Sequence, residues 1–246
     1  NQWPALCNTA GQAFCNASPF LLKDLTSRAK KQSLKTDFIV YLDGFSPNVQ
    51  LILDKFKFRN QIDTMVDADI LGAVIEKFTS SDINLSPNPI YKDDAKTILV
   101  HPGLDNHGMG TIFEELIRSF NEENNEEAGE HWTPRDVVEL MADLVFIPIQ
   151  DKIKDATYSC YDGACGTGGM LTVAQDRLLK LAKKSEKQVS IHLFGQEINP
   201  ETYAICTADM LLKGDGQEAS HIMYGSTLSD DQHASRQFDF MLSNPP

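Results

Sequence analysis

The chain is predicted to be an α/β protein. A mainly helical N-terminal domain over residues 1–120 precedes a Rossmann-like domain over residues 121–246. Three observations lead there. Before about residue 120, apolar residues recur at helical spacing. After Asp151, short apolar strands alternate with amphipathic helices, the rhythm of βαβ units and a largely parallel sheet. Between the first of these strands and its helix lies Asp162-Gly163-Ala164-Cys165-Gly166-Thr167-Gly168-Gly169, placed where doubly wound sheets bind nucleotides.

Taken in order, Ser18-Pro19 opens a run with Leu21, Leu22 and Leu25 at helical spacing. Ser46-Pro47 opens a second, with Val49, Leu51, Ile52, Leu53 and Phe56, and Ile70, Leu71, Val74, Ile75 and Phe78 form a third. Asn84 to Pro89 and His101 to Gly110 read as loops. Residues Asn121 to Glu130, almost all Asn, Glu, Ala and Gly, read as a solvated connector or a polar helix end. Thr133 is then an N-cap candidate, with Pro134 at the first helical position and Asp136 completing a capping-box-like pattern. Val137, Val138, Leu140, Met141, Leu144 and Val145 are expected to form that helix's apolar face.

The second domain reads as a strand at Tyr158 to Tyr161, a helix from about Gly168 to Lys184 and a strand at Val189 to Phe194. A helix from Pro200 to Lys213 and strands at His221 to Tyr224 and Phe238 to Leu242 follow. The helices bury Met170, Leu171, Ala174, Leu178 and Leu181, and Tyr203, Ala204, Cys206, Thr207 and Met210. No internal repeat is visible.

Composition narrows the function. The 246 residues, 41% of them hydrophobic and 23% charged, suit one large or two modest globular domains. No apolar run approaches the ~20 residues of a membrane span, and Asn1-Gln2-Trp3-Pro4 lacks a signal-peptide pattern. Without a starting Met, the chain is expected to be trimmed or incomplete. The odd cysteine count, five, argues against a disulfide framework and for a reducing, cytoplasmic setting. Cys7, Cys15, Cys160, Cys165 and Cys206 include no CxxC pair, and no Cys/His cluster has zinc-ligand spacing, so no metal is expected. A net charge of −13 is the wrong sign for a self-sufficient DNA binder. Any nucleic-acid role needs a local basic groove or a basic partner.

The chemistry lies at three strand ends. In the loop after the first strand, glycines let the backbone approach a ligand, and a helix N-terminus adds partial positive charge. The spacing is neither G-x-G-x-x-G nor a Walker motif, which disfavours a pyrophosphate or ATP cradle. Asp162 suits a ligand ammonium. Glu197, after the next strand, can accept two hydrogen bonds from ribose hydroxyls. At the end of Phe238-Asp239-Phe240-Met241-Leu242-Ser243 come Asn244, Pro245 and Pro246. The Asn side-chain carbonyl and the next backbone carbonyl both accept hydrogen bonds, and the prolines offer no N–H while stiffening the turn. That pattern can grip an exocyclic amino group. It has no place in hydride transfer, so S-adenosylmethionine fits better than NAD.

These segments resemble the modification (M) subunit of type I restriction–modification systems, an N6-adenine DNA methyltransferase. His131-Trp132-Thr133-Pro134-Arg135, the 162–170 loop, Gly195 to Cys206 and Phe238 to Pro246 carry the likeness in the family's order, and the helical region around Met109 to Leu116 extends it. The resemblance implies an S-adenosyl-L-methionine-dependent methyltransferase fold. It implies that Asp162 lies near the methionine amino group, that Ala164, Cys165, Gly166, Thr167, Gly168 and Gly169 wrap the cofactor, and that Glu197, with Ile198, holds the ribose. Glu130, His131, Trp132, Thr133, Pro134 and Arg135 close over the methionine end. Asn244, Pro245 and Pro246 are the catalytic segment, acting on an adenine flipped out of double-stranded DNA, because N6 is paired inside the duplex. Positioning in line is then the main catalytic device, and Cys165 is packing rather than a nucleophile. Partners implied are a specificity (S) subunit, which reads DNA sequence, and a restriction (R) subunit.

The chain departs from the pattern in three places. Gly163 stands where Pro is common. Ser226-Thr227-Leu228 lacks the acid or amide expected to meet the cofactor adenine, and the stacking aromatic expected after Pro246 is absent, so the domain is read as C-terminally incomplete. Two alternatives stay open: a protein glutamine N-methyltransferase, whose amide nitrogen poses the same chemical problem, and a non-catalytic assembly subunit.

Overall fold

The computed structural model of the chain describes residues 2–27, 33–93, 95–104, 108–109, 112, 115–116, 119, 133–213 and 216–245. Glu130, His131, Trp132, Pro246 and the 121–130 connector lie outside these described residues. Residues 1–114 with 211–216 form one compact unit, and 115–210 with 217–246 form a second.

The first unit carries helices α1 (Trp3–Ala10), α2 (Leu22–Thr26), α3 (Leu34–Asp43), α4 (Pro47–Lys55), α5 (Phe58–Asp67) and α6 (Leu71–Phe78). A short antiparallel pair, β1 (Ile90–Tyr91) with β2 (Leu99–His101), follows. Its core is Leu25, Leu34, Phe38, Leu42, Ile62, Leu71 and Ile75. The expected runs at 18–25, 46–56 and 70–78 become α2, α4 and α6. The loop expected from His101 is interrupted, since Gly108 and Met109 are helical.

The second unit opens with α7 (Arg135–Phe146) and a 3-10 turn (Ile147–Lys152). It continues with β3 (Ala156–Asp162), α8 (Gly169–Lys184), β4 (Val189–Glu197), α9 (Pro200–Lys213), β5 (Ile222–Tyr224) and β6 (Phe240–Met241). The sheet order is β5-β4-β3-β6, with every pair parallel. The chain steps outward from β3 to β4 and β5, then returns to add β6 on the other side of β3. That reversal is a topological switch point, where the loops at the strands' carboxyl ends part and leave a crevice. Register aligns the functional strand ends: Asp162 pairs with Gly195 and Glu197 with Tyr224.

Helix α8 packs on β3, β4 and α7, burying Met170, Leu171, Ala174, Leu178 and Leu181 as expected from their spacing. Cys160 and Leu193 answer from the sheet, at 0% and 1% exposure. Strand β6 is short, and its place is fixed from outside the ladder. The Asp239 carboxylate accepts both the Ser159 N–H and the Ser159 hydroxyl at 2.8 Å, and the Leu242 N–H donates to the Tyr161 carbonyl at 3.1 Å.

Two expectations for α7 are corrected. The helix begins at Arg135 with Pro134 as its N-cap residue, and no side chain caps it. Its buried stripe is Val138, Ala142 and Phe146, while Val137, Leu140 and Leu144 are exposed. Apolar residues lie on more than one side of this helix. The stripe that faces α8 wins, fixed on its border by the Asp143–Arg177 ion pair.

Candidate functional site

A cleft of about 680 Å³ opens at the carboxyl ends of β3, β4 and β6. Thr133, Asp162, Ala164, Cys165, Gly166, Thr167, Gly169, Glu197, Ile198, Asn244 and Pro245 all line it. Segments separated by more than a hundred residues meet there because the sheet returns to β3 last.

Asp162 ends β3 and is 2% exposed. Its Oδ1 accepts the Ala164 N–H at 3.0 Å and the Ser243 hydroxyl at 2.7 Å. Burial, with the charge of Glu197 adding to it, pushes this carboxyl up to about 6, against the pull of those two hydrogen bonds. No cation stands among its hydrogen-bond partners in the described residues.

Glu197 ends β4, and its two oxygens are held differently. Oε2 accepts the Gly166 N–H at 2.8 Å and Oε1 the Asn199 N–H at 2.7 Å. Through the first bond the acid grips the glycine loop. The Cys165 N–H donates to the Gln196 carbonyl at 3.1 Å, a second stitch between the same segments. Gly166 and Gly168 have φ of +54° and +84°, so the turn requires left-handed backbone at both.

Gly168 does not line the cleft. A Cβ there would stand 2.7 Å from Cys206 Sγ, so its lack of a side chain lets the loop close on α9. Cys165 has its thiol turned the same way. A hydrogen bond with Cys206, reinforced by burial, holds it well above the usual thiol range, which removes it as a nucleophile. A Cβ at Gly195 would lie 2.9 Å from Cys165 Sγ, so a side chain at the end of β4 would displace the loop.

Beyond β6, the Asn244 side-chain N–H donates to the Thr133 hydroxyl at 3.1 Å. Thr133, read from sequence both as a helix cap and as part of the segment closing over the cofactor, lines the cleft and does not cap the helix. With its amide N–H engaged, the Asn244 carbonyl oxygen remains as an acceptor. Pro134 and Arg135 do not line the cleft, and Arg135 pairs with Glu139 at 3.4 Å.

Sequence reasoning missed Ser243, the hydroxyl that holds Asp162. It also missed Asn199, Thr202 and Gly225 as cleft walls, whereas Ser226-Thr227-Leu228, the segment read as facing the cofactor adenine, does line the cleft. The 225–228 turn is tied in by the Thr227 hydroxyl, which donates to the Gly163 carbonyl, and by the Gly225 N–H, which donates to the Glu197 carbonyl at 2.9 Å. Leu228 is fully exposed and Ile198 61% exposed, two bare apolar side chains at the cleft. For Gly225 the available signal was a glycine closing a strand end, and its φ is +143°.

A parallel sheet with a glycine-loop cleft at its switch point and an acid ending each of two adjacent strands places the chain among the doubly wound α/β proteins that bind nucleotides and nucleosides. The crystal structure of a type I restriction–modification system methyltransferase subunit from Streptococcus thermophilus has the same fold, with a TM-score of 0.59 at 20% identity. The match covers 91% of this chain and 43% of that one. The N-6 DNA methylase family model matches residues 104–246, and the chain belongs to that family. It is 31% identical over 146 residues to the methylase subunit of the type I restriction enzyme MpnII from Mycoplasma pneumoniae, covering 56% of this chain and 25% of that protein. It is 27% identical over 196 residues to the EcoEI methylase subunit from Escherichia coli, covering 78% of this chain and 34% of that protein. The chain thus spans a quarter to a third of these two curated relatives. Among the described residues, no helix is long and apolar enough to cross a membrane.

Proposed function

We propose that the chain is the cofactor-binding and catalytic part of an adenine-specific DNA methyltransferase, transferring a methyl group from S-adenosylmethionine to adenine N6 as the modification subunit of a type I restriction–modification system. What supports this is the convergence in one cleft of Asp162, the 163–169 loop and Glu197 with Asn244-Pro245. Family membership and the relatives' names agree with it.

The residues present fit the cofactor. Space is open where a Cβ would stand at Gly166 and Gly169. Asp162 is a buried acid with hydroxyl and amide donors but no cation among the described residues, and an ammonium beside it would favour its charged form. Glu197 keeps acceptor capacity beyond its two backbone bonds, which suits ribose hydroxyls. Ile198 and Leu228 offer apolar surface for a purine face. When bound, S-adenosylmethionine supplies the methyl group on its sulfonium.

The chain's own part is positioning. Asn244 Oδ1 and the Pro245 carbonyl accept hydrogen bonds from the adenine N6 amino group, which aims the nitrogen lone pair into the cleft. Thr133 engages the Asn244 amide N–H and leaves Oδ1 as the acceptor. The target adenine leaves the duplex to reach this depth. The specificity and restriction subunits are the proposed partners. A chain with net charge −13 leaves phosphate neutralisation to a basic partner.

Asn244→Ala in the full-length protein tests the assignment. It is expected to abolish methyl transfer to adenine-containing DNA, a loss of about a hundredfold or more, while calorimetry finds S-adenosylmethionine binding nearly unchanged. Retained transfer would remove Asn244 from the catalytic role.

A further inference from the structure

Toward the start of β4, remote from the cleft, three side chains with metal-ligand chemistry meet. His192 lies on β4, and Glu218 and His221 bracket the 3-10 turn Glu218–His221 that leads into β5. His192 Nδ1 is 2.8 Å from Glu218 Oε1, and His221 Nδ1 is 3.5 Å from Glu218 Oε2. All three donor atoms lie within 4.8 Å of one another. Five residue steps along the strand lead from His192 to Glu197, a distance of about 16 Å at ~3.3 Å per residue. This cluster therefore belongs to a different part of the sheet from the methyl-transfer cleft.

The cluster is held in shape by groups that leave ligand atoms available. The Leu193 N–H donates to Glu218 Oε2 at 2.6 Å, which orients the carboxylate. The His221 ring stacks on Phe194 with centroids 4.3 Å apart, which fixes its plane. His221 Nδ1 is shut away from solvent and has no hydrogen-bond partner among the described residues. A polar nitrogen buried in that state costs free energy unless something engages it. His192 is on the open side, with its side chain 44% exposed beside a second cavity of about 310 Å³. An ion can enter there, and water can complete its shell.

We propose that His192, Glu218 and His221 bind a first-row divalent cation of the zinc class. Two imidazole nitrogens and one carboxylate oxygen suit zinc rather than magnesium or calcium, which take oxygen ligands. Bonds of about 2.1 Å in a tetrahedral shell put ligand atoms roughly 3.4 Å apart. His192 stands 2.8 Å from one oxygen of Glu218 and His221 3.5 Å from the other, so the carboxylate lies between the two rings, and a small turn of the exposed His192 ring opens room for an ion among them. The ion would pin the turn before β5 onto β4. Sequence spacing hides the site, because folding alone joins His192 to the Glu218-x-x-His221 pair.

Calorimetric titration of the whole chain with zinc chloride alone tests the assignment. One ion per chain is expected, with affinity falling roughly tenfold or more in His192→Ala and in His221→Ala. The Cys7 and Cys15 thiols, 3.3 Å apart, are the competing soft donors, so Cys7→Ser is expected to leave binding intact. Thermal melts are expected to show a zinc-dependent rise in Tm for the unaltered chain and for Cys7→Ser, and none for His192→Ala. Because His192 is partly exposed, that variant keeps the test informative if His221→Ala fails to fold. Absence of saturable binding, or binding that survives both histidine changes, overturns the proposal.

Discussion

The ends of β3 and β4 present two acids to one cleft, yet the protein treats them differently. Glu197 is held by two backbone N–H groups, from Gly166 and Asn199. Asp162 is held by one backbone N–H and by the hydroxyl of Ser243, a residue beside the proposed catalytic Asn244. Backbone donors stay in place for as long as the loop does. A side-chain donor from another segment ties the state of one acid to the placement of that segment. Glu197 thus belongs to the loop's architecture, whereas Asp162 carries a strained charge, pushed up to about 6 chiefly by burial.

Removing each acid in turn gives the largest expected effect, and the same one for both. Glu197→Ala and Asp162→Ala are each expected to weaken S-adenosylmethionine binding by about 2 kcal/mol, roughly thirtyfold, as measured by calorimetry. Unchanged affinity in either variant takes that acid out of the site.

Stability should separate the pair by sign. Asp162 is ordinarily ionised above 3.8, but in the folded chain it keeps its proton to about 6. Its neutral form therefore favours folding below about pH 4, and that contribution is lost as pH rises through about 6. At pH 7, Asp162→Asn is expected to stabilise the chain by about 1–2 kcal/mol, and Glu197→Gln to destabilise it by about 1 kcal/mol. Denaturant titrations showing the same sign for both would erase the distinction between the two acids.

A smaller effect concerns pH. An ammonium ligand needs ionised Asp162, so cofactor affinity is expected to fall as pH drops through about 6. Ser243→Ala removes a hydrogen bond that favours the charged form, so it is expected to move this midpoint upward by less than about one unit. A midpoint that stays put or moves down would show that Ser243 does not set the charge of Asp162.

Much of the second unit is legible in the sequence because local signals and packing agree. In α8, Met170, Leu171, Ala174, Leu178 and Leu181 mark a single stripe, and that stripe is buried. The glycine loop announces itself because positive φ at Gly166 and Gly168 excludes most other residues. Helix α7 was misread in phase, because its exposed Val137, Leu140 and Leu144 are as apolar as its buried Val138, Ala142 and Phe146. Thr133 looked like a cap because a hydroxyl before a proline fits that pattern, whereas its actual bond goes to Asn244, 111 residues away. Ser243 carries no signature at all. Its importance follows from a register between β3 and β6 that no local window contains.

That register bears on how the chain can change over generations. Ser243 and Asn244 are neighbours, yet one reaches Asp162 and the other Thr133. Inserting or deleting a single residue after the Leu242–Tyr161 rung would turn both side chains away from their partners together. The exposed 234–237 stretch, which precedes the Asp239–Ser159 anchor, can vary in length without touching that alignment. Natural length variation in this part of the molecule is therefore expected to collect before Asp239 and to stop there.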